Sequence, residues 1–378
     1  MPDRGAILVL NAGSSSLKMA LVEGGETGLS GQVDGIGGAA RVRIGGAARP
    51  AAIADHAAAV DALLNGLEAC GVALADLRAA AHRIVHGGAR LTAPVRLTED
   101  ALAELARNAH LAPLHTPHAL AAIQAVAQRA PDLRQCASFD TGFHATQPEL
   151  ATRYALPDAP ETAGLRRWGF HGLSYAALVD GFEGVTGRPL PRRLLACHLG
   201  NGASLCAILE GRSVATTMGY DPLSGLTMGT RAGEIDAGAV LALADRLGVD
   251  GAREMLGKKS GLKALGGQSD MRALLASESP AARFAIAHFT YWAARAAGSM
   301  IAAMEGLDAI AFTGGIGEHA APIRAGILDR LAWTGASYEP ALNEAAAPVI
   351  GDGAILAAII PAAEEARIAG EAARLLQG

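Results

Sequence analysis

The stretch LNAGSSSLKMALVEGG, residues 10–25, sets the strongest limit on the fold. Small residues followed by Lys18 resemble a phosphate loop, yet that motif needs two spaced glycines, then Lys-Ser/Thr, then a helix. Here Gly13 stands alone, Met19 follows the lysine, and the Gly24-Gly25 pair ends the segment before a crossover helix could form. The apolar run 6–10 and the run Leu17, Met19, Leu21, Val22 therefore read as two strands of a hairpin with its tip at Asn11 to Ser16. The pattern recurs at 194–211: LLACHL, then Gly200-Asn201-Gly202, then ASLCAILEG. Glycine and other small residues let backbone N–H groups come close to a ligand, so such a tip can hold phosphate with no helix behind it. Two such hairpins half a chain apart predict a duplicated fold with a cleft between the halves.

Around the hairpins, amphipathic patterning predicts helices near 55–70, 99–109, 117–129, 236–246, 280–305 and 363–376, with another from 318. Apolar runs at 79–85, 135–139 and 308–312 predict strands. Alternation of the two makes the chain α/β. The loop rich in proline and small residues, 145–165, reads as the crossing between domains. The expected domains are residues 1–145 and 146–366, the first completed by a C-terminal helix at about 367–378. At 378 residues the chain is too long for a single compact core.

A net charge of −5 and the lack of any Lys/Arg run argue against nucleic acid or a lipid headgroup surface as partner. Only four lysines occur, and Lys18 is the first of them, 240 residues before Lys258. Cys70, Cys136, Cys197 and Cys206 are scattered with no CxxC pair, as buried hydrophobes of a reducing compartment would be. The N-terminus shows no basic region followed by an apolar stretch. The apolar stretch 281–305 is interrupted by Arg295 and Glu305, so it reads as a core or interface helix. A cytoplasmic protein without a membrane anchor is expected.

Several polar residues stand out for their chemistry. Asn11, Ser14, Ser16 and Lys18 offer donors of the kind a phosphate tail needs, although such a tip is also an ordinary solvated turn. Arg83 ends an apolar run before Gly87-Gly88, and Arg231 sits among glycines; phosphoryl transfer needs cations on its equatorial oxygens. Asp140 opens a turn after a strand, where an Asx-turn would serve equally well. No HxxxH or HExxH spacing points to zinc.

Five segments carry a family pattern: NAGSSSLK (11–18), RWGFHGLSY (167–175), HLGNGAS (198–204), DPLSGLTMGTRAGEID (221–236) and FTGGIGE (312–318). With them the chain, from residue 7 to about 369, resembles the acetate kinases, the acetokinase branch of the sugar kinase, heat-shock chaperone and actin superfamily. The resemblance implies duplicated actin-like, ribonuclease H-like domains, ATP in the cleft, Mg²⁺ (with Mn²⁺ as a substitute) and a homodimer. It implies reversible, direct in-line transfer between ATP and acetate, giving acetyl phosphate and ADP. By resemblance, Arg83, Asp140, His171 and Arg231 are catalytic. Asn11, Ser14, Ser16, Lys18, His198, Asn201 and Gly202 face the phosphates, and Asp270, Met271, Arg272, Gly315 and Ile316 face the nucleoside. Asn11 and Glu364 serve the metal, with Glu365 left open as the alternative to Glu364. Val85, Leu114, His115, Phe170 and Pro222 join Arg83 around acetate, and a branched Val85 favours acetate over propionate. The pattern departs in three places: Tyr175 stands where histidine is usual, Asp221 where threonine is, and His319 where asparagine is. A propionate or butyrate kinase with the same machinery is the near alternative. A non-enzymatic nucleotide-gated module is the distant one, since ATP binding alone does not require Arg83, His171 and Arg231.

Overall fold

The computed structural model describes residues 5–377 and divides the chain into two compact units. The first comprises Met1–Phe143 and Ala363–Gly378, the second His144–Ala362. The first unit holds strands β1 (Ile7–Ala12), β2 (Ser16–Glu23), β3 (Glu26–Asp34), β4 (Arg41–Ile44), β5 (Arg49–Pro50), β6 (Ala79–Ile84), β7 (Val95–Arg96) and β8 (Gln135–Phe139). They form one sheet in the order β5-β4-β3-β2-β1-β6-β8-β7. β1, β2 and β3 run as an antiparallel meander, while β1, β6 and β8 are parallel.

Burial explains why β1 reads as a continuous apolar run. Leu8, Leu10 and Ala12 join Leu17, Met19 and Leu21 under the helices His56–Ala69 and Thr116–Arg129, in a core that includes Val60, Leu63, Leu64 and Val126. Ile7 and Val9, on the opposite face by the alternation of a strand, are equally buried. The helix Glu364–Leu375 packs on β1, β6 and β8. A strand covered on both faces has no polar positions to alternate. Asn11, Lys18 and Arg83 come where that cover ends.

The second unit holds β9 (Arg193–Leu199), β10 (Ala203–Leu209), β11 (Arg212–Thr216), β12 (Ala309–Thr313), β13 (Val349–Asp352) and β14 (Leu356–Ile359). Their order is β11-β10-β9-β12-β14-β13. β9, β10 and β11 are again an antiparallel meander, and β9, β12 and β14 are again parallel. The string β11-β10-β9-β12-β14 thus repeats β3-β2-β1-β6-β8 in order and direction. The duplication expected from the two hairpins is present.

Several elements differ from expectation, three helices near the proposed site among them. The helix expected from 318 starts at Gly314, directly on the end of β12. Gly314 has φ +78, and a Cβ there would lie 2.9 Å from the Leu199 carbonyl oxygen, so only glycine allows so abrupt a turn. The helix expected over 236–246 runs from Ala237 to Lys258 through a break at Gly248 (φ 72, ψ 165). A helix Gly172–Thr186 was not foreseen, because its first seven residues are all buried and show no amphipathic period.

Candidate active site

In the first unit the β1–β2 tip closes tightly, the Gly13 N–H donating to the Ser16 carbonyl at 2.8 Å. Ser14 is exposed there, and Ser16 opens β2 half-buried. Register then aligns the charges. Asn11 pairs with Lys18 on one side and Arg83 on the other, and Arg83 pairs with Ser138. Residues paired in register share a sheet face, so Lys18, Asn11 and Arg83 form one polar row.

Arg83 does not stand alone. Its Nε and Nη2 donate to the two carboxylate oxygens of Asp140 at 2.9 and 2.7 Å, and Nη1 lies 3.5 Å from Glu364 Oε2. Such a fork-on-carboxylate pair fixes the guanidinium plane as well as its charge. Burial by itself would lower the Arg83 pKa, but Asp140 and then Glu364 outweigh it and hold the guanidinium well above its ordinary value. Asp140 is 2% exposed; burial pushes its carboxyl up and the Arg83 contacts pull it down. The two glutamates differ in placement: Glu364 reaches Arg83 and Glu365 is exposed.

Of the expected acetate-lining residues here, Val85 is half-buried and lies one residue beyond β6, not within it. Leu114 is 51% exposed, and His115 sits at the start of the helix Thr116–Arg129 without capping it. His56 escaped the sequence reading. It is buried, its Nε2 donates to the Gly13 carbonyl at 2.7 Å, and its ring stacks on His118 with centroids 4.3 Å apart. It braces the tip from below.

Among the described residues no group of three or more His, Cys, Asp or Glu could hold a metal ion. Two carboxylates, Asp140 and Glu364, converge on one arginine. That donor set fits a hard cation taking one or two carboxylates with water and phosphate oxygens, and does not fit zinc.

In the second unit the β9–β10 tip closes with the Gly200 N–H on the Gly202 carbonyl at 2.9 Å. The exposed Asn201 gives its carbonyl to the Gly229 N–H at 3.1 Å, tying the tip to the glycine-rich loop. A Cβ placed on Gly202 would lie 3.2 Å from His171 Nε2 and 3.7 Å from Arg231 Nη1. Tip, imidazole and guanidinium meet at that point.

Buried partners orient both rings of this site. His171 Nδ1 lies 2.8 Å from Ser204 Oγ, and His198 Nδ1 lies 2.8 Å from Ser174 Oγ. The two imidazoles stack with centroids 4.1 Å apart and planes 24° from parallel. His171 holds φ 59, a left-handed conformation that costs a non-glycine residue on the order of 1 kcal/mol or more. What pays for it is next to it: the carbonyl of buried Phe170 accepts from His144 Nε2 at 2.9 Å, and His144 Nδ1 meets Ser213 Oγ at 2.8 Å. Burial lowers the His144 pKa to about 4, so the ring is neutral at pH 7.

Arg231 donates from Nη1 to the Pro222 carbonyl at 3.0 Å. Burial lowers its pKa and nearby Asp221 opposes that shift. The unusual Asp221 is therefore a carboxylate set beside the arginine. Asp270 caps the helix Met271–Leu275, accepting from the Arg272 N–H, and its carboxylate also pairs with the exposed Arg272 guanidinium at 2.9 Å. Met271 is buried, Gly315 is exposed and Ile316 half-buried. Gly315 has open space around it, while Glu318 Oε1 accepts from the N–H groups of Gly314 and Ala362 at 3.0 Å each. His319 is exposed at the end of the same short helix. No described helix is long and apolar enough to cross a membrane.

Known proteins resemble this chain along nearly its whole length. The model of the acetokinase family matches residues 6–370. The acetate kinase of Nitrobacter hamburgensis is 42% identical over 98% of this chain and 96% of its own length. The crystal structure of Porphyromonas gingivalis acetate kinase has a TM-score of 0.91 at 31% identity, covering 98% of this chain and all of that one. A propionate kinase from Francisella tularensis has a TM-score of 0.92 at 33% identity, over 97% and 98% of the two chains. Fold order, paired hairpins and the residues at their tips all lead to one conclusion: the chain belongs to the acetokinase family.

Proposed function

We propose that this chain, a phosphotransferase acting on acetate with ATP and ADP as its nucleotides, moves the γ-phosphoryl directly to an acetate oxygen, reversibly and with Mg²⁺. The observation that carries the reading is the approach of His171 Nε2 and Arg231 Nη1 to Gly202 at a hairpin tip. An imidazole donor and a fixed cation beside backbone N–H groups match the charge that builds on the three equatorial oxygens in transfer. Arg83, locked by Asp140, supplies a permanent cation for the acetate carboxylate and the phosphoryl. Lys18 with Asn11, Ser14 and Ser16, and on the second unit His198, Asn201 and Gly202, receive the phosphate tail. Asp270, Met271, Arg272, Gly315 and Ile316 receive the nucleoside. Val85, Leu114, His115, Phe170 and Pro222 bound the acyl end. Asp140 and Glu364, with Asn11, would hold Mg²⁺, which supplies charge neutralisation for the phosphate oxygens. His171 stays a hydrogen-bond donor and does not carry the phosphoryl group itself.

Two features support finer readings. The helix Ala237–Lys258 leaves Leu241, Leu247 and Val249 exposed, and Phe284 and Tyr291 are exposed on the helix Pro280–Ala303. A second copy would cover such apolar surface, so we assign a homodimer. The four cysteines are free and three are buried, consistent with a cytoplasmic, reducing setting. The propionate kinase among the structural relatives favours one second reading, in which propionate is a competent but slower acyl acceptor. Formation of ATP from acetyl phosphate and ADP, followed by a coupled assay, tests the whole. Mg²⁺-dependent turnover with acetyl phosphate is expected, and its absence would overturn the reading.

A further inference from the structure

We propose that Tyr175 is a positioning residue which, through Ser204, holds the His171 ring in the tautomer whose Nε2 carries the proton. The inference rests on the reading in which His171 donates to the migrating phosphoryl group.

Tyr175 is wholly buried in the first turn of the helix Gly172–Thr186, and its N–H donates to the His171 carbonyl at 3.0 Å. Its hydroxyl lies 2.5 Å from Ser204 Oγ, which in turn lies 2.8 Å from His171 Nδ1. Ser204 has a single hydrogen to place between these partners. If it donates to Nδ1, the neutral ring carries its proton on Nε2. If it donates to the phenol oxygen, Nδ1 must be the donor, and Nε2 is left as a bare acceptor. The proton on one ring nitrogen follows from the hydrogen bond made by the other.

The phenol decides between them. A phenol is a stronger acid than an alkyl alcohol, so in a Tyr–Ser pair the tyrosine is the better donor and the serine oxygen the better acceptor. Burial pushes the Tyr175 pKa well above 10, with Cys206 adding to it, so the hydroxyl keeps its proton at any working pH. With Tyr175 donating to Ser204, the serine hydrogen turns to Nδ1 and the ring proton to Nε2. Nε2 is the atom 3.2 Å from where a Gly202 Cβ would stand, beside Arg231 Nη1. The stack on His198 disfavours charge on both rings at once, because two charged rings face to face would repel. Histidine is the usual residue of the family pattern at this position. A second imidazole there could itself change charge; the buried phenol cannot.

Selective ¹⁵N-histidine labelling with two-bond ¹H–¹⁵N correlation reads the tautomer directly, with His171→Gln assigning the signal. The wild-type ring is expected as the Nε2–H form. In Tyr175→Phe the Nδ1–H form should grow, and kcat should fall roughly tenfold, about one hydrogen bond, with KM for ATP and acetate within about twofold. Active wild-type enzyme with His171 in the Nδ1–H form would overturn the inference alone. So would an unchanged tautomer in a folded Tyr175→Phe. If that variant does not fold, the wild-type spectrum still decides between the two arrangements. Lack of any acetyl phosphate turnover would strike instead at the reading of His171 as a phosphoryl donor.

Discussion

The β1–β2 and β9–β10 hairpins share their strand order and their small-residue tips, yet they are furnished in different ways. Beside the first stands a row of charge, Lys18–Asn11–Arg83, with the arginine clamped by Asp140 and approached by Glu364. Beside the second stand two stacked imidazoles, each tied to a buried serine hydroxyl, and a single arginine held by a backbone carbonyl. A long-range attraction for anions needs charge, and it tolerates loose geometry. A hydrogen bond to a group in motion needs direction, and a ring locked at its far nitrogen supplies that. One fold, used twice, has been fitted with an electrostatic half and a directional half.

The comparison can be broken most severely at its two arginines. Arg83→Ala and Arg231→Ala should each lower kcat by roughly 10³-fold or more, the range for a lost transition-state cation. Steady-state kinetics with both proteins folded is the measurement, and retention of turnover within about tenfold removes that arginine from the role assigned to it. Because Arg83 is clamped and Arg231 is not, the two halves should differ in stability. Asp140→Asn takes the bidentate partner from a mostly buried guanidinium, leaving Glu364 at 3.5 Å as the nearest carboxylate, and should cost about 3 kcal/mol of unfolding free energy. Denaturant midpoints test this, and the double variant Arg83→Met with Asp140→Asn should recover part of the loss.

A smaller effect concerns the braces. His56→Leu should raise KM for ATP roughly tenfold while kcat changes less, since one buried hydrogen bond to the Gly13 carbonyl is lost. His56→Gln, which can place an amide donor near the same point, should restore most of it. At the acyl end, one methylene in an apolar pocket is worth about 1–3 kcal/mol. Val85→Ala should therefore move kcat/KM toward propionate, and an unchanged ratio would assign chain-length choice to another wall.

The mildest expectation is a stability profile. His82, His86 and His144 all have pKa values lowered to about 4 in the fold, chiefly by burial, against an ordinary 6.5. A group whose folded pKa is depressed contributes its stability in full above the unfolded value and loses it as pH falls through the folded one. Unfolding free energy should thus be flat above about pH 6.5 and decline between there and about pH 4. His144→Gln should make that decline shallower.

Much of this was legible in the sequence, and the reason is local. A tip such as Gly200-Asn201-Gly202 between two apolar runs announces its hairpin, and β1 and β9 were found that way. What stayed hidden is set by tertiary partners far away in the chain. Nothing in the string says that His56 reaches Gly13 across 43 residues, or that His144 meets Ser213 across 69. Glu364 and Glu365 look alike in sequence, and only the phase of the C-terminal helix on the sheet turns one toward Arg83. Asp140 reads in sequence as a turn residue or part of a metal environment, and nothing there shows that both its oxygens also clamp Arg83. The helix Gly172–Thr186 hides for a related reason: burial on all sides of its first seven residues erases the period that would reveal it.

The central proposal, that transfer is direct and that His171 donates a hydrogen bond and never carries the phosphoryl group, is tested most directly by stereochemistry. ATP made chiral at the γ-phosphorus with oxygen isotopes is allowed to react with acetate, and the configuration of the acetyl phosphate is determined. A single in-line displacement inverts phosphorus, and inversion is the result expected here. Retention, the signature of two successive displacements through a phosphorylated residue, would contradict the account.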